Sequence, residues 1–375
     1  MTSLELNAVS KSFKNDQVLS GLSLSATEGE TVVVFGPSGT GKTVLLRLIS
    51  GIYDPDDGDI RLDGSSVVGI APEHRGIGMA FQNFALYPHM EAADNIASPL
   101  EARGGTAAQI MEKVREIATL LKIDHVLSHR PKELSNGQKQ RTALARALVA
   151  GPKILLLDDP LRNVDAKLRF EMRLELPRLL RDFGSTTLYV TQDYKEAMAL
   201  GDRIAVLLKG DFAQVATPQD IYNNPVNVEV AKLFGDPTIN LIETRLTVAD
   251  GRAQADLAGT TVELGTGYDH ADGRDIVVGV RPEAISVSET PLEGALPVEL
   301  IAVTPLNERV VMLLHLADGT EFFASSPEDG ATGTRRHGPA FARIAPDAVL
   351  VFDRDSGQRI HPLDAGPQVS GQQTQ

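Results

Sequence analysis

Apolar positions along this chain change texture once. Up to residue 235, short aliphatic or β-branched runs alternate with stretches of helical spacing. Thr31 to Phe35 is a β-branched run that feeds a glycine-rich turn, and Val44 to Ser50 repeats its apolar residues at helical intervals. Ile154 to Leu157 is continuously apolar, as expected of a strand covered on both faces. Thr186 to Val190 and Arg203 to Leu208 predict two more strands. Thr106 to Leu121 and Lys167 to Phe183 predict helices, with Pro177 expected to kink or interrupt the second. Such alternation predicts an α/β domain with a largely parallel sheet over 1–235.

From 236 on, short alternating segments (Ile276 to Val280, Val310 to Leu316, Glu321 to Ala324) are separated by Asp-Gly and glycine-rich turns. They predict a small β-rich domain over 236–363, a barrel being one form it could take. Hairpin candidates at Gly259-Thr260 and Gly319-Thr320 hint at two similar lobes. The polar stretch 364–375 reads as a disordered tail.

Composition narrows the functions open to such a chain. Its 375 residues suggest two or three domains, and 42% apolar residues suffice for a proper core. Fifty acidic against 36 basic residues leave a net charge of −14, which argues against general nucleic-acid binding. With no cysteine, disulfides, thiolate nucleophiles, Fe–S clusters and cysteine-ligated zinc are excluded together. No apolar run approaches the ~18 residues that span a bilayer, and Met1 to Leu6 lack the basic and apolar regions of a signal peptide. The expectation is a soluble chain that owes any membrane role to partners.

The first chemistry lies in the glycine-rich turn. Gly36-Pro37-Ser38-Gly39-Thr40-Gly41-Lys42-Thr43 matches G-x-x-x-x-G-K-[ST] in full, between a predicted strand and a predicted helix. Its glycines let successive N–H groups point inward at phosphate oxygens, and the helix that follows adds the positive end of its dipole. Lys42 would reach the β- and γ-phosphates, and the Thr43 hydroxyl would ligate Mg²⁺. Asp158, at the end of the apolar run, can hold that Mg²⁺ through water.

Upstream of Asp158, Leu134-Ser135-Asn136-Gly137-Gln138-Lys139-Gln140-Arg141 resembles the Leu-Ser-Gly-Gly-Gln signature of ATP-binding-cassette (ABC) ATPases. Met79-Ala80-Phe81-Gln82 resembles the family's Q-loop, followed by Ala85 to Met90. Leu161 to Arg169 resembles the D-loop, with Asp165 at its centre, and Tyr189 to Asp193 stands where the switch-histidine loop belongs. The segments Tyr87-Pro88-His89, Asp165 to Arg169 and Val280 to Ala284 narrow the likeness to ATPase subunits of bacterial carbohydrate importers of the maltose and glycerol-phosphate type.

The resemblance implies a P-loop ABC domain over 1–235 with a helical subdomain at about 88–150, then an OB-like regulatory domain over 236–363. It implies ATP and Mg²⁺ as ligands, with Phe13 stacking on adenine and Gln82 sensing Mg²⁺ and the attacking water. Ser135, Asn136, Gly137 and Gln138 would face the γ-phosphate of a second ATPase subunit. Further implied partners are two integral membrane permease subunits and, indirectly, an extracytoplasmic solute-binding protein. The place implied is the cytoplasmic face of the bacterial inner membrane. His89 is either a permease contact or a plain surface histidine.

Four positions depart from the family pattern. Asp159 stands where active members carry the glutamate general base. Gln192 replaces the switch histidine, Arg162 the first serine of the D-loop, and Asn136 a signature glycine, where asparagine's tolerance of unusual φ softens the change. One reading is drift in an active, homodimeric ATPase. A second is a degenerate cassette that binds ATP, hydrolyses it poorly, and completes a competent site in a different, consensus subunit. A third is a regulatory subunit that holds ATP with negligible turnover.

Overall fold

The computed structural model describes residues 2–291, 294–306, 309–327 and 337–363. The stretch 364–375, predicted as a tail, lies outside the described residues. The chain divides into two compact units, Met1–Asn224 and Pro225 onward.

The first unit opens with a hairpin, β1 (Thr2–Phe13) and β2 (Asp16–Thr27), then β3 (Thr31–Phe35), α1 (Lys42–Ser50), β4 (Asp57–Leu62) and β5 (Ser65–Ser66). After β6 (Ile77–Ala80) come the helices α2 (Ala92–Glu101), α3 (Ala107–Leu120) and α4 (Asn136–Leu148). The unit closes with β7 (Ile154–Asp158), α5 (Ala166–Phe183), β8 (Thr186–Thr191), α6 (Tyr194–Leu200), β9 (Arg203–Leu208), β10 (Asp211–Ala216) and α7 (Pro218–Asn223).

These strands form an antiparallel sheet β2-β1-β4-β5 and a second sheet β10-β9-β3-β8-β7-β6. In the second, β9, β3, β8, β7 and β6 run parallel and β10 is an antiparallel edge. Helix α1 explains the two-layer arrangement. Its Leu45, Leu46, Leu48 and Ile49 are buried in one core with Leu4, Leu6 and Leu22 of the antiparallel sheet and Val32, Val34, Leu156 and Leu188 of the parallel one. Registers Phe35↔Thr191 and Asp158↔Val190 bring the carboxyl ends of β3, β7 and β8 level. In a parallel sheet that is where ligands bind.

The interruption expected at Pro177 does not occur. Helix α5 runs unbroken from Ala166 to Phe183 with Pro177 inside it. Pro177 removes one amide donor, yet Met172, Leu176 and Leu180 bury a single stripe on both sides of it, and this tertiary anchoring outweighs the local penalty. Helix α2 carries Pro99 in the same way.

The second unit begins with α8 (Val228–Leu233). Residues 225–235, read from sequence as the end of the first domain, belong here. The Val228 amide donates to the Gly357 carbonyl at 2.9 Å and the Arg359 amide to the Val226 carbonyl at 2.8 Å. The buried Arg281 guanidinium donates to the carbonyls of Ala231 and Phe234 at the end of α8.

Two antiparallel sheets follow. The first comprises β11 (Asn240–Ala249), β12 (Arg252–Leu257), β13 (Thr260–Thr266), β14 (Asp275–Val280), β20 (Val349–Asp353) and β21 (Arg359–Ile360). The second comprises β15 (Ile285–Ser288), β16 (Leu296–Leu306), β17 (Arg309–His315), β18 (Glu321–Pro327) and β19 (Gly338–Ile344). Both predicted hairpins form, β12–β13 turning at Gly259 and β17–β18 at Gly319. Each lies in a different sheet, but the two sheets share one core, including Leu246, Val278, Leu314 and Phe322, so they are not separate lobes.

Candidate nucleotide-binding site

Strand β3 delivers the chain to Gly36 and α1 starts at Lys42, so the glycine-rich loop spans a strand end and a helix N-terminus. Two of its glycines are dictated by space. A Cβ on Gly36 would lie 2.3 Å from the Leu207 carbonyl oxygen, and one on Gly41, whose φ is +100°, would lie 2.6 Å from Leu19 Cδ2. The buried Lys42 ammonium donates to the carbonyls of Gly36 and Pro37 at 2.7 and 2.6 Å. Burial lowers its pKa, opposed by the nearby Asp159 and Asp158.

Across the loop, the Thr43 hydroxyl donates to Asp158 Oδ1 at 3.3 Å. Burial raises the Asp158 carboxyl's pKa, and the Thr43 hydrogen bond opposes the rise. Thr43, Asp158 and Gln82 line one hollow together with Ser38, Gly39, Gly41, Lys42, Asp159, Arg162 and Gln192. A hydroxyl, a carboxylate and an amide facing one space are hard oxygen donors, which fits a small hard cation that keeps some of its water.

Asp159 follows β7 with φ +44°, and its amide donates to the Val190 carbonyl at 2.9 Å, so the carboxylate turns out of the sheet beside β8. Gln192 Nε2 donates to Asp159 Oδ2 at 3.3 Å, and Arg162 Nη1 lies 3.6 Å from the same oxygen. Burial raises this carboxyl's pKa too, with Gln192 and then Arg162 opposing. Asn163 donates to the Gln82 carbonyl at 2.9 Å, and Asp165 caps α5 by accepting from the Leu168 amide at 3.0 Å.

The predicted residues thus fall into two groups. Ser38, Gly39, Gly41, Lys42, Thr43, Gln82, Asp158, Asp159 and Gln192 converge on one place, and Gly36, Pro37, Thr40, Phe13, Asp165 and Ser135 to Gln138 do not line it. Phe13, at the end of β1, is 38% exposed and meets Tyr53 edge-on at a centroid distance of 5.3 Å, so it is no core aromatic. Ser135 caps α4 in a reciprocal box: its Oγ accepts from the Gln138 amide at 3.3 Å, and Gln138 Oε1 accepts from the Ser135 amide at 2.9 Å. Asn136 is the first helical residue and has no positive φ, so asparagine's backbone tolerance plays no part there. A Cβ on Gly137 would lie 2.1 Å from Leu168 Cδ2, the end of a side chain that would have to turn aside.

Other supporting residues carry no motif. Arg75 donates to the carbonyls of Leu48 and Ile49 at 2.9 Å each, closing the carboxyl end of α1. The fully buried Asn95 brackets Tyr87, accepting from its amide at 2.7 Å and donating to its carbonyl at 3.1 Å. Arg146 donates to the carbonyls of Phe84 and Ala85, both at positive φ. Tyr87 and His89 are exposed beyond them. Glu196, buried behind β8, accepts from Tyr189 and Thr191. A lone arginine, asparagine or glutamate at an unremarkable spacing gives no warning of such burial.

A parallel strand, a glycine-rich loop, the helix it opens and two consecutive carboxylates at the end of a nearby strand of the same sheet define a P-loop ATPase. The ABC transporter family model matches residues 19–162, and the model of the MalK OB fold domain matches 235–285. The sn-glycerol-3-phosphate import ATP-binding protein UgpC of Salmonella typhi is 41% identical over 357 residues, 89% of this chain and 100% of that protein. UgpC of Escherichia coli strain K12 is 38% identical over 373 residues, 96% of this chain and 100% of that protein. Among solved structures, the ATP-binding cassette MJ0796, in a dimeric post-hydrolysis state bound to ADP and Pi, superposes with a TM-score of 0.53 at 30% identity. That match covers 57% of this chain and 98% of MJ0796. This chain belongs to the family of ABC-transporter ATP-binding proteins, and its second unit carries the MalK-type OB fold.

Proposed function

We propose that this chain is the ATP-binding subunit of an importer that couples ATP binding and hydrolysis to uptake of a carbohydrate or polyol, glycerol phosphate foremost. The observation that carries the ATPase half is the convergence of Lys42, Thr43, Gln82, Asp158, Asp159 and Gln192 on one hollow. Support for the importer half and its substrate class comes from relatives named as sn-glycerol-3-phosphate import proteins and aligned over their whole length. In this reading the chain works with two integral membrane permease subunits and, through them, an extracytoplasmic solute-binding protein. Its place is the cytoplasmic face of the inner membrane. Among the described residues no helix is long and apolar enough to cross a membrane.

The roles follow from position. The loop amides from Gly36 to Thr43 and the Lys42 ammonium hold the β- and γ-phosphates of ATP, and Phe13 offers an exposed ring to adenine. Thr43, Asp158 and Gln82 would hold Mg²⁺, which supplies charge neutralisation at the phosphates when bound. Asp159 accepts the proton of the attacking water, and Gln192 presents an amide where a donor to the γ-phosphate is needed. Ser135 to Gln138 present a capped helix end to the ATP of the partnering subunit, with Asp165 holding the adjoining loop.

The same geometry favours a weak hydrolytic site. Asp is one methylene shorter than Glu, which withdraws the carboxylate by about 1 Å and can cost about 10²-fold. Moreover, the Gln192 amide spends one of its two N–H donors on Asp159 and keeps only the other for the γ-phosphate. In the other half of this reading the chain pairs with a different, consensus ATPase subunit and completes that subunit's site with the capped end of α4. ATP turnover by the chain, compared with the Asp159→Glu, Gln192→His double variant, tests it. The expected gain is about 10²-fold with unchanged nucleotide affinity. Turnover of about 1 s⁻¹ or more by the unchanged chain would instead favour a fully active homodimer.

A further inference from the structure

The loop between β7 and α5 holds a cation that the motif pattern does not account for. Arg162 and Gln192 converge on one oxygen of Asp159, Oδ2, from two different loops. The Arg162 amide donates to the Asp159 carbonyl at 3.2 Å, closing a turn that bends the long side chain back over the carboxylate three residues earlier. A serine at 162 could not span that turn. Arg169 ties the two loops together. Its Nη2 donates to the carbonyls of Arg162 and Val164 at 3.1 and 3.2 Å, and its Nη1 lies 3.9 Å from Asp193 Oδ2, next to Gln192. Asp159, Arg162 and Gln192 also face a second polar hollow beside the phosphate loop's own, so this trio partitions the two.

We propose that Arg162 is a positioning residue for Asp159: with Gln192 it fixes Oδ2 of a carboxylate one methylene short, and leaves Oδ1 to take the proton of the attacking water. The inference deepens the reading of Asp159 as general base and rests on it. Asp159 Oδ2 has the guanidinium charge on one side and an amide donor on the other, so turning the short side chain away would give up both. The half-exposed Arg162 side chain (50%) packs into no core, and its guanidinium faces the two hollows.

Steady-state phosphate release by the full chain with saturating Mg-ATP tests this on four variants. Arg162→Ser should lower kcat by about tenfold with KM for ATP within about twofold, and Arg162→Lys should recover part of the loss. On an Asp159→Asn background, Arg162→Ser should cost nothing further, because its target is gone. Equal losses on both backgrounds, a loss carried by KM, an unchanged or raised kcat, or an unchanged chain without measurable turnover would each overturn the proposal. Full activity in Asp159→Asn alone would instead remove the general-base reading beneath it, and the two failures are separable.

Discussion

Glu196 illustrates what a single residue can impose on the whole fold. It is 1% exposed, and its Oε2 accepts hydrogen bonds from the hydroxyls of Tyr189 and Thr191, each at 2.8 Å. Burial raises its pKa from 4.5 to about 7, the two hydrogen bonds oppose the rise, and the charges of Asp193 and Asp159 add to it. The folded chain therefore holds this proton more tightly than the unfolded one. Its contribution to stability is fully present below the unfolded value and is lost as pH rises through about 7. At about 1.4 kcal/mol per pH unit, the loss across that window is about 3 kcal/mol. Glu196→Gln keeps the shape and removes the titration. Denaturant unfolding should show the variant gaining on the parent by about that amount between pH 5 and 8. A difference constant with pH would refute the assignment.

At the scale of elements, the helices α4 and α1 are held by their ends. Helix α4 begins at the Ser135–Gln138 box, so Ser135→Ala should cost about 1 kcal/mol of stability in chemical denaturation. Ser135→Thr should cost little, since threonine also caps. Helix α1 is closed at its other end by Arg75, which has almost no exposed side chain. Arg75→Met would leave the carbonyls of Leu48 and Ile49 short of their donor, at a cost of about 1–3 kcal/mol. Amide exchange near Leu48 and Ile49 should quicken in that variant while β11 to β14 stay protected. Equal protection across α1 in both proteins would mean that the cap is redundant. Only one of the two ends could be judged from spacing. The Ser135 box is local in sequence and could be read there, whereas Arg75 reaches its carbonyls only after β6 has joined the sheet.

For the molecule as a whole, the two units have separate cores. The first is built around α1, the second around the facing sheets of residues 240–360. The hollow proposed for nucleotide is lined by residues of the first unit alone, so the linkage should be selective. With Mg-ATP about a hundredfold above its Kd, the first unit gains about 2.7 kcal/mol. Calorimetry should show one transition rising with nucleotide and the other unmoved, with the rise lost in Lys42→Ala. Two transitions rising together would show that the cores unfold as one. At the phosphate loop the chain's excess of acid is locally offset, since Lys42 and Arg162 stand there beside Asp158 and Asp159.

Sequence alone determined the alternation of the first unit, the phosphate loop, Asp158 and the family likeness, because these depend on short-range order. A strand needs a few β-branched residues, and the loop needs glycines at fixed spacing before a lysine. It also marked Asp159, Arg162 and Gln192 as departures, although nothing in their spacing said that all three would meet at one carboxylate oxygen. Folding brought Gln192 to Asp159, because β7 and β8 pair in a register that sets Asp158 opposite Val190. Tertiary packing likewise carried α5 through Pro177 without a break, moved 225–235 into the second unit and buried Glu196, Asn95 and Arg75. Each of these depends on a partner dozens of residues away or on a face that only exists once the sheets close, and local pattern holds no record of either.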